Sequence, residues 1–402
     1  DVVTDQSGNI YVTGKSNSSL NDTIEDNDIV TMKYSSAGNL LWIRRFNGTA
    51  SLRDEPVKIQ LAPNGDVLVA GRTENAVNDD MVLIRYDQNT GNPVWSSPAT
   101  YNSSFGNDDR ALDLAVDAND NTFLAGYSQT GQGASSDDAV VIRINSSGIV
   151  NSIFSYDGTG FGDDQAISIT KDPSNDIYIS IRSDVNPDPL LTDYAAVVMK
   201  LNNSLAQQWT TPCVINSPIQ NGDVTPVMLS FRGAELFLAG HSDHSSSFTN
   251  DIFLARISNQ GGLDWLSTYD GPAQAEDEAT SITFSNDGSE LVLISGLSDG
   301  IPARQADGIL LAYDITSGIN SLSLNKQLMI YPNPATDIVR WSPNSDFYEV
   351  RCMDALGRTV LGSTGTAISA LDVSSLPSGI YRLMLSNADE VVVVPLSINH
   401  HD

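Results

Sequence analysis

The chain has 402 residues, 40% hydrophobic and 18% charged, the profile of a folded protein rather than a disordered one. Its net charge of -29, from 50 acidic and 21 basic residues, argues against nucleic acid or anionic lipid as a partner, since both need Lys and Arg to displace counterions. No apolar run approaches the ~20 residues of a membrane-crossing helix. The only two cysteines, Cys213 and Cys352, exclude a disulfide framework and read as buried small hydrophobes.

From the N-terminus onward the sequence is periodic. A predicted strand closing on Gly recurs at Ile10–Gly14, Val67–Gly71, Thr122–Gly126, Leu236–Gly240 and Val292–Gly296, with Ile177–Ile181 filling the missing beat, at spacings of 55 to 59 residues. A second marker follows each, at Asp28–Tyr34, Asp80–Tyr86, Asp138–Ile144, Ala195–Leu201, Asp251–Ile257 and Asp307–Tyr313. A third carries Trp42, Trp95, Trp209 and Trp265, with Phe154 in the corresponding place. Adding a leading strand such as Ala166–Ile169 gives about four short strands per unit, separated by Gly/Asn/Asp/Ser turns, with no helical periodicity. That is a β-propeller blade. A β-solenoid coil, at ~20–30 residues, is about half this period.

The units resemble SBBP and related bacterial propeller repeats from residue 1 to about 318, most weakly in the fourth, where Ile181 and Ala195 replace Gly and Asp. Signatures of WD40, kelch and sialidase propellers are not met. Asp87–Trp95 is similar to the tryptophan-docking motif of quinoprotein propellers, in good form only once. Six units are visible, and six to eight blades fit the pattern. Because a ring must close to hide sheet edges, sequence upstream of Asp1 is expected to supply an outer strand or a further blade.

Strand alternation places the loops before the first and third strands on one face. Counting back 17 residues from each Gly marker gives Asp54, Asp109, Asp164 and Asp223, with Glu278 matching after one inserted residue. Together with Asp28, Asp80, Asp138, Asp251 and Asp307 these predict an acidic ring. Two readings compete: each Asp caps backbone N–H groups where a loop meets a strand, or the ring is a cation-attracting or glycan-binding face. Capping is preferred, since a repeat-wide residue serves the repeat first.

Turns beginning at Asp5, Asp117 and Asp172 resemble half of a calcium loop. No bidentate Glu follows, so hairpin chemistry explains them as well and calcium is a weak expectation. His241–His244 offers too few ligands for a closed zinc site. No nucleophile elbow or singled-out carboxylate pair appears, so no catalytic, cofactor or metal residue is assigned.

The end of the chain reads Leu328–Asp337 with Pro332, Asn333 and Pro334, then Asp354, Gly357 and Arg358 in a D-x-x-G-R turn, then Leu376, Gly379 and Tyr381 in an L-x-x-G-x-Y strand. These motifs in this order resemble the type A C-terminal sorting domain of the type IX secretion system of Bacteroidetes. Alternating segments such as Asp337–Trp341, Tyr348–Met353 and Gly379–Leu385 fit a small Ig-like β-sandwich, with Gly357 and Gly379 at turn positions needing unusual φ. An ordinary adhesive Ig-like module is the alternative. The resemblance implies recognition by outer-membrane secretion machinery, transit through the periplasm, and release or anchoring at the cell surface.

The fold expected is therefore all-β, a propeller over 1–318, a linker over 319–327 and a sorting sandwich over 328–402. The expected work is binding, adhesion or assembly through a surface glycan or protein ligand. An extracellular polysaccharide hydrolase or lyase, or a spacer within a longer surface protein, are the alternatives.

Overall fold

The computed structural model describes residues 1–17, 27–104, 106–129, 136–160, 162–188, 191–243, 249–271, 274–285, 291–299, 306–314, 330–331, 335–341, 347–354, 358–386 and 391–399. Among them every regular element is a β-strand, and no helix is long and apolar enough to cross a membrane. The chain divides into two compact units, Asp1–Tyr269 with Ala275–Thr280, and Asp270–Gln274 with Ser281–Asp402.

The first unit holds five four-stranded antiparallel sheets, each hydrogen-bonded in chain order. Their strands are Val2–Thr4, Ile10–Asn17, Asn27–Tyr34 and Leu40–Phe46; Asp54–Leu61, Val67–Glu74, Asp79–Tyr86 and Ala99–Tyr101; Asp109–Val116, Thr122–Ser128, Asp138–Ile144 and Val150–Tyr156; Asp164–Lys171, Ile177–Asp184, Tyr194–Leu201 and Cys213–Ile215; Val224–Arg232, Glu235–Asp243, Asn250–Ile257 and Leu263–Tyr269. These are the predicted propeller blades. The middle strands are hydrophobic on both faces because each sheet is covered by its neighbours: Leu68 and Val69, Phe123 and Leu124, and Phe237 and Leu238 are all fully buried.

The Gly that closes the second strand has a steric cause. The first strand carries a bulge opposite it, between Pro56 and Lys58, Ala111 and Asp113, and Pro226 and Met228. A Cβ at Gly71, Gly126 or Gly240 would collide with the carbonyl oxygen of Glu55, Arg110 or Thr225.

The tryptophan marker joins sheet to sheet. The Nε1 of Trp42, Trp95 and Trp209 donates to the carbonyl of Gln88, Ser146 and Asn259 in the following sheet, at 3.0 to 3.1 Å. Each indole lies over a turn glycine with φ between +68° and +84°: a Cβ at Gly91, Gly148 or Gly261 would come within 2.7 to 2.8 Å of the ring. Trp95 and Trp209 precede their fourth strands instead of lying within them. In the third sheet the marker is Phe154, and the matching turn of the fourth sheet carries Leu205 at φ +66° in place of glycine. Phe154 and Leu205 share one core cluster, a larger turn residue filling the room a smaller ring leaves.

In the second unit, Leu291–Asp299 and Ala306–Asp314 continue the three-stranded sheet that opens with Asp277–Phe284, so the sixth repeat has no Trp strand among the described residues. The rest is a two-sheet sandwich. Ile330–Tyr331, Ile338–Trp341 and Ala370–Asp372 form one sheet; Thr359–Ile368, Phe347–Met353, Gly379–Ser386 and Val391–Ile398 form the other, in those orders. Val339, Trp341, Phe347, Val350, Leu383 and Leu396 close the core between them. Cys213 and Cys352 are both free and buried, and burial pushes each thiol up to about 11, far from reactive. The expected linker, 319–327, lies outside the described residues.

Candidate binding face and cleft

Asp54, Asp109 and Asp164 open their first strands at 0 to 2% exposure. Each accepts, through Oδ2, the backbone N–H six residues earlier: Gly48 at 2.7 Å, Ser103 at 2.6 Å and Gly158 at 2.7 Å. They hold the loop that enters each sheet, as the capping reading expects. Ser128 and Ser183 stand opposite Asp109 and Asp164 in register and also face Tyr101 and Tyr156 of the preceding sheet. Burial raises Asp109 and lifts Asp164 to about 6.

Two residues reached by counting occupy a different place. Val224 and Asp277, both buried, take the strand-opening position where Asp223 and Glu278 were expected. The hairpin of the fifth sheet is one residue shorter, with Arg232 pairing Glu235. That of the sixth is two longer: Ser285 N bonds Leu291 O, where Ala62 N bonds Asp66 O. Asp223 instead belongs to a second series. It accepts Tyr194 N at 3.0 Å, as Asp108 accepts Asp79 N, Asp163 accepts Asp137 N and Glu276 accepts Asn250 N. Glu278 is exposed.

Of the third-strand aspartates, Asp28 is buried against Arg45 at 2.7 Å. Asp80 is half-buried, pushed up by burial, and accepts Asn75 Nδ2 at 3.0 Å. Asp138 is half-buried, Asp251 buried and Asp307 exposed. Half of the predicted acidic ring, Asp28, Asp54, Asp109, Asp164 and Asp251, is thus wall and not surface.

Polar and charged side chains, half-buried except for the exposed Lys15, lie one residue on, as strand alternation requires. Lys15, Arg72, Tyr127, Arg182 and His241 follow the second-strand Gly or its equivalent. Glu55, Arg110, Gln165 and Thr225 stand opposite the last four in register. Across the first three sheets these build an ion ladder. Lys15 meets Glu55 at 2.7 Å, Glu55 meets Arg72 at 2.5 Å, Arg72 meets Asp79, Asp79 meets Arg110 at 2.8 Å, and Arg110 meets Asp108 at 3.0 Å. Burial would raise Glu55, but hydrogen bonds from Lys15 and Arg72 outweigh it and hold the carboxyl at about 2. Further round, the Arg182 guanidinium sits 3.3 Å over the Tyr194 ring, and burial pushes His241 down.

At the far end of this ladder a polar cleft of about 440 Å³ opens between the second and third sheets, lined by Asn78, Asn107, Asp108, Arg110, Tyr127, Gln129 and Asp137 among others. Its wall is braced from behind: Asn78 Nδ2 donates to Asn107 O, and Gln165 Nε2 donates to Asp137 at 3.2 Å. Burial, with the charge of Asp163 beside it, pushes Asp137 up, and burial also raises Tyr127. None of these lining residues was singled out by the sequence reading. A search for polar residues one place beyond each marker finds Arg110 and Tyr127.

The half-calcium turns are occupied by protein donors. Asp117 accepts Asn119 N, Asn121 N, Asn121 Nδ2 and Asn203 Nδ2; Asp5 and Asp172 accept similar sets. Hairpin chemistry describes all three. His241 is half-buried in its strand, and His244 lies outside the described residues.

In the sandwich, Arg358 closes the D-x-x-G-R turn on Asp354 through its backbone N at 3.0 Å and its guanidinium at 2.7 and 2.8 Å. Leu376 and Tyr381 are core residues, and the Tyr381 hydroxyl donates to Pro377 O at 2.9 Å. Gly379 needs no left-handed φ: it opens a strand, and a Cβ there would meet only the Tyr381 ring at 3.5 Å. Pro332, Asn333, Pro334 and Gly357 lie outside the described residues.

Comparison with known proteins agrees with both halves. Residues 329–399 match the secretion system C-terminal sorting domain family, and residues 1–21 match the β-propeller repeat family SBBP. No curated protein matches the chain in sequence. Among solved structures, a Dyadobacter fermentans protein of unknown function is similar at 10% identity, over 78% of this chain and 92% of its own, with a TM-score of 0.42. A Penicillium chrysogenum α-L-arabinanase is similar at 12% over the same shares, with 0.46. The β-propeller domain of the Pyrococcus furiosus Trilobed protease is similar at 8%, over 98% and 93%, with 0.41. The chain thus carries β-propeller repeats and a type IX secretion C-terminal sorting domain, and is a protein exported through that machinery to the cell surface or the medium.

Proposed function

We propose that the protein works outside the cell as a binding module, adhesive or assembling, whose ligand docks on the loop-bearing face of the propeller unit. The observation that carries this is the open cleft lined by Arg110, Asp108 and Asp137, where Arg110 is ion-paired to Asp108 while the repeat aspartates Asp54, Asp109 and Asp164 are committed to the backbone. Rigid polar groups around a concavity are what recognition of a hydroxylated or peptide ligand requires. The test is binding of the purified chain to immobilised extracellular polysaccharides and proteins, with and without Gln129→Trp, which fills the cleft. Loss of at least tenfold in affinity supports the reading; undiminished binding by the blocked variant sinks it.

A polysaccharide-cleaving enzyme is the second reading, favoured by one observation. Asp108 and Asp137 line the same cleft in unlike surroundings, the first ion-paired to Arg110, the second pushed up by burial. Such a split is how two carboxylates divide acid and base roles. New reducing or unsaturated ends released from a polysaccharide, and abolished by Asp137→Asn, would establish it; bound polysaccharide left at full length would exclude it.

A further inference from the structure

We infer that the cleft between the second and third sheets is a saccharide subsite for neutral polysaccharide chains, closed to acidic ones. This rests on the binding role proposed above and narrows it to a place and a ligand class.

The cleft, at about 440 Å³, falls within the range of small-ligand sites. Beside Val77 and Gly106 its lining is polar: three amides (Asn78, Asn107, Gln129), two carboxylates (Asp108, Asp137), one guanidinium (Arg110) and one phenol (Tyr127). Planar amides and carboxylates offer paired donors and acceptors at the spacing of vicinal hydroxyls, and Tyr127 supplies a ring edge and a hydroxyl. Each sugar hydroxyl both donates and accepts, so a wall of mixed polarity satisfies it without leaving a buried group unpaired.

The charge balance decides which sugars. Arg110 is the one cation among the described lining residues, and its guanidinium already meets Asp79 at 2.8 Å and Asp108 at 3.0 Å. Asp137 is held by the amides of Gln165 and Gln129, and it feels the repelling charge of Asp163 more strongly than the attracting charge of Arg110. A uronate or sulfate entering here would lose water and meet two carboxylates, with one guanidinium whose charge is already offset by Asp79 and Asp108. The whole chain, at -29, repels such polymers from a distance as well. A neutral chain meets neither obstacle.

The experiment is affinity electrophoresis of the full chain through gels containing neutral glucan, mannan, xylan or arabinan, and in parallel alginate, pectate or a sulfated galactan. Retardation by at least one neutral polymer and by no acidic one is expected. Gln129→Ala and Asp137→Asn should each weaken it at least fivefold, with the thermal midpoint of Gln129→Ala unchanged. Retardation by an acidic polymer as strong as by any neutral one overturns the selectivity. If the neutral polymer binds but neither variant weakens it, the subsite is overturned while the binding role stands. If no polysaccharide binds and the Gln129→Trp test still detects a protein ligand, the saccharide class alone is overturned.

Discussion

Asp164 shows how little a carboxylate's abundance says about its use. The sequence places it on an acidic face with backbone capping as the preferred role, and it lies buried, bonded to Gly158 N in the loop before its strand, where burial lifts it to about 6. An unfolded Asp titrates near 3.9. Between about 4 and 6 the folded chain therefore holds more protons than the unfolded one, and stability falls as pH rises through that window. The contribution is fully present below about 4, lost above about 6, and on the order of 3 kcal/mol. Asp164→Asn keeps an acceptor for Gly158 N–H but cannot titrate, so melting curves from pH 4 to 6 should be flatter for the variant than for the parent. Glu55 has the opposite sign. Held at about 2 by Lys15 and Arg72, it stabilises above its ordinary pKa near 4.3, and that stabilisation is lost as pH falls toward 2. After solvent screening its share is roughly 1–2 kcal/mol. Glu55→Gln should destabilise by about that amount at pH 7 and by almost nothing near pH 2, read as denaturant midpoints.

Elements explain which parts of the site the sequence displayed. The Gly, Asp and Trp markers were legible because each meets a requirement that recurs in several sheets: a bulge, a loop bond, an indole seated on a turn. The ladder through Arg72 and Arg110 was not legible, since its members differ from sheet to sheet and only the shared register brings them together. Counting failed at Asp223 and Glu278 for a related reason: hairpin length varies, and one residue of slip turns a side chain to the other face. The Phe154–Leu205 pair tests the docking device itself. Phe154→Trp alone should overpack, costing about 1–3 kcal/mol, and Leu205→Gly alone should leave a void costing about 2–5 kcal/mol. Together they restore the Trp-on-Gly arrangement of the other joints, so the double variant should recover about 1 kcal/mol or more relative to the sum. Simple additivity in denaturant unfolding would show that the two side chains do not complement one another.

At the scale of the whole molecule, the two ends of the inference are unequal. Delivery was legible because Asp354 with Arg358 and Leu376 with Tyr381 recur as fixed motifs, and the structure gives them fixed work, a turn closed by an ion pair and a core anchor. The ligand was not legible, because a cleft made from the edges of two sheets leaves no contiguous trace. The molecule would then divide its labour, the tail carrying the chain out and the propeller binding. This division is tested most directly by expressing the full chain, and the chain without residues 329–399, in a host with an active type IX system, then measuring protease-accessible chain on intact cells and its retention on a neutral polysaccharide. The full chain should be accessible outside, the shortened chain should stay in the periplasm, and both should bind equally once released. Export of the shortened chain, or loss of binding with the tail alone, would contradict it.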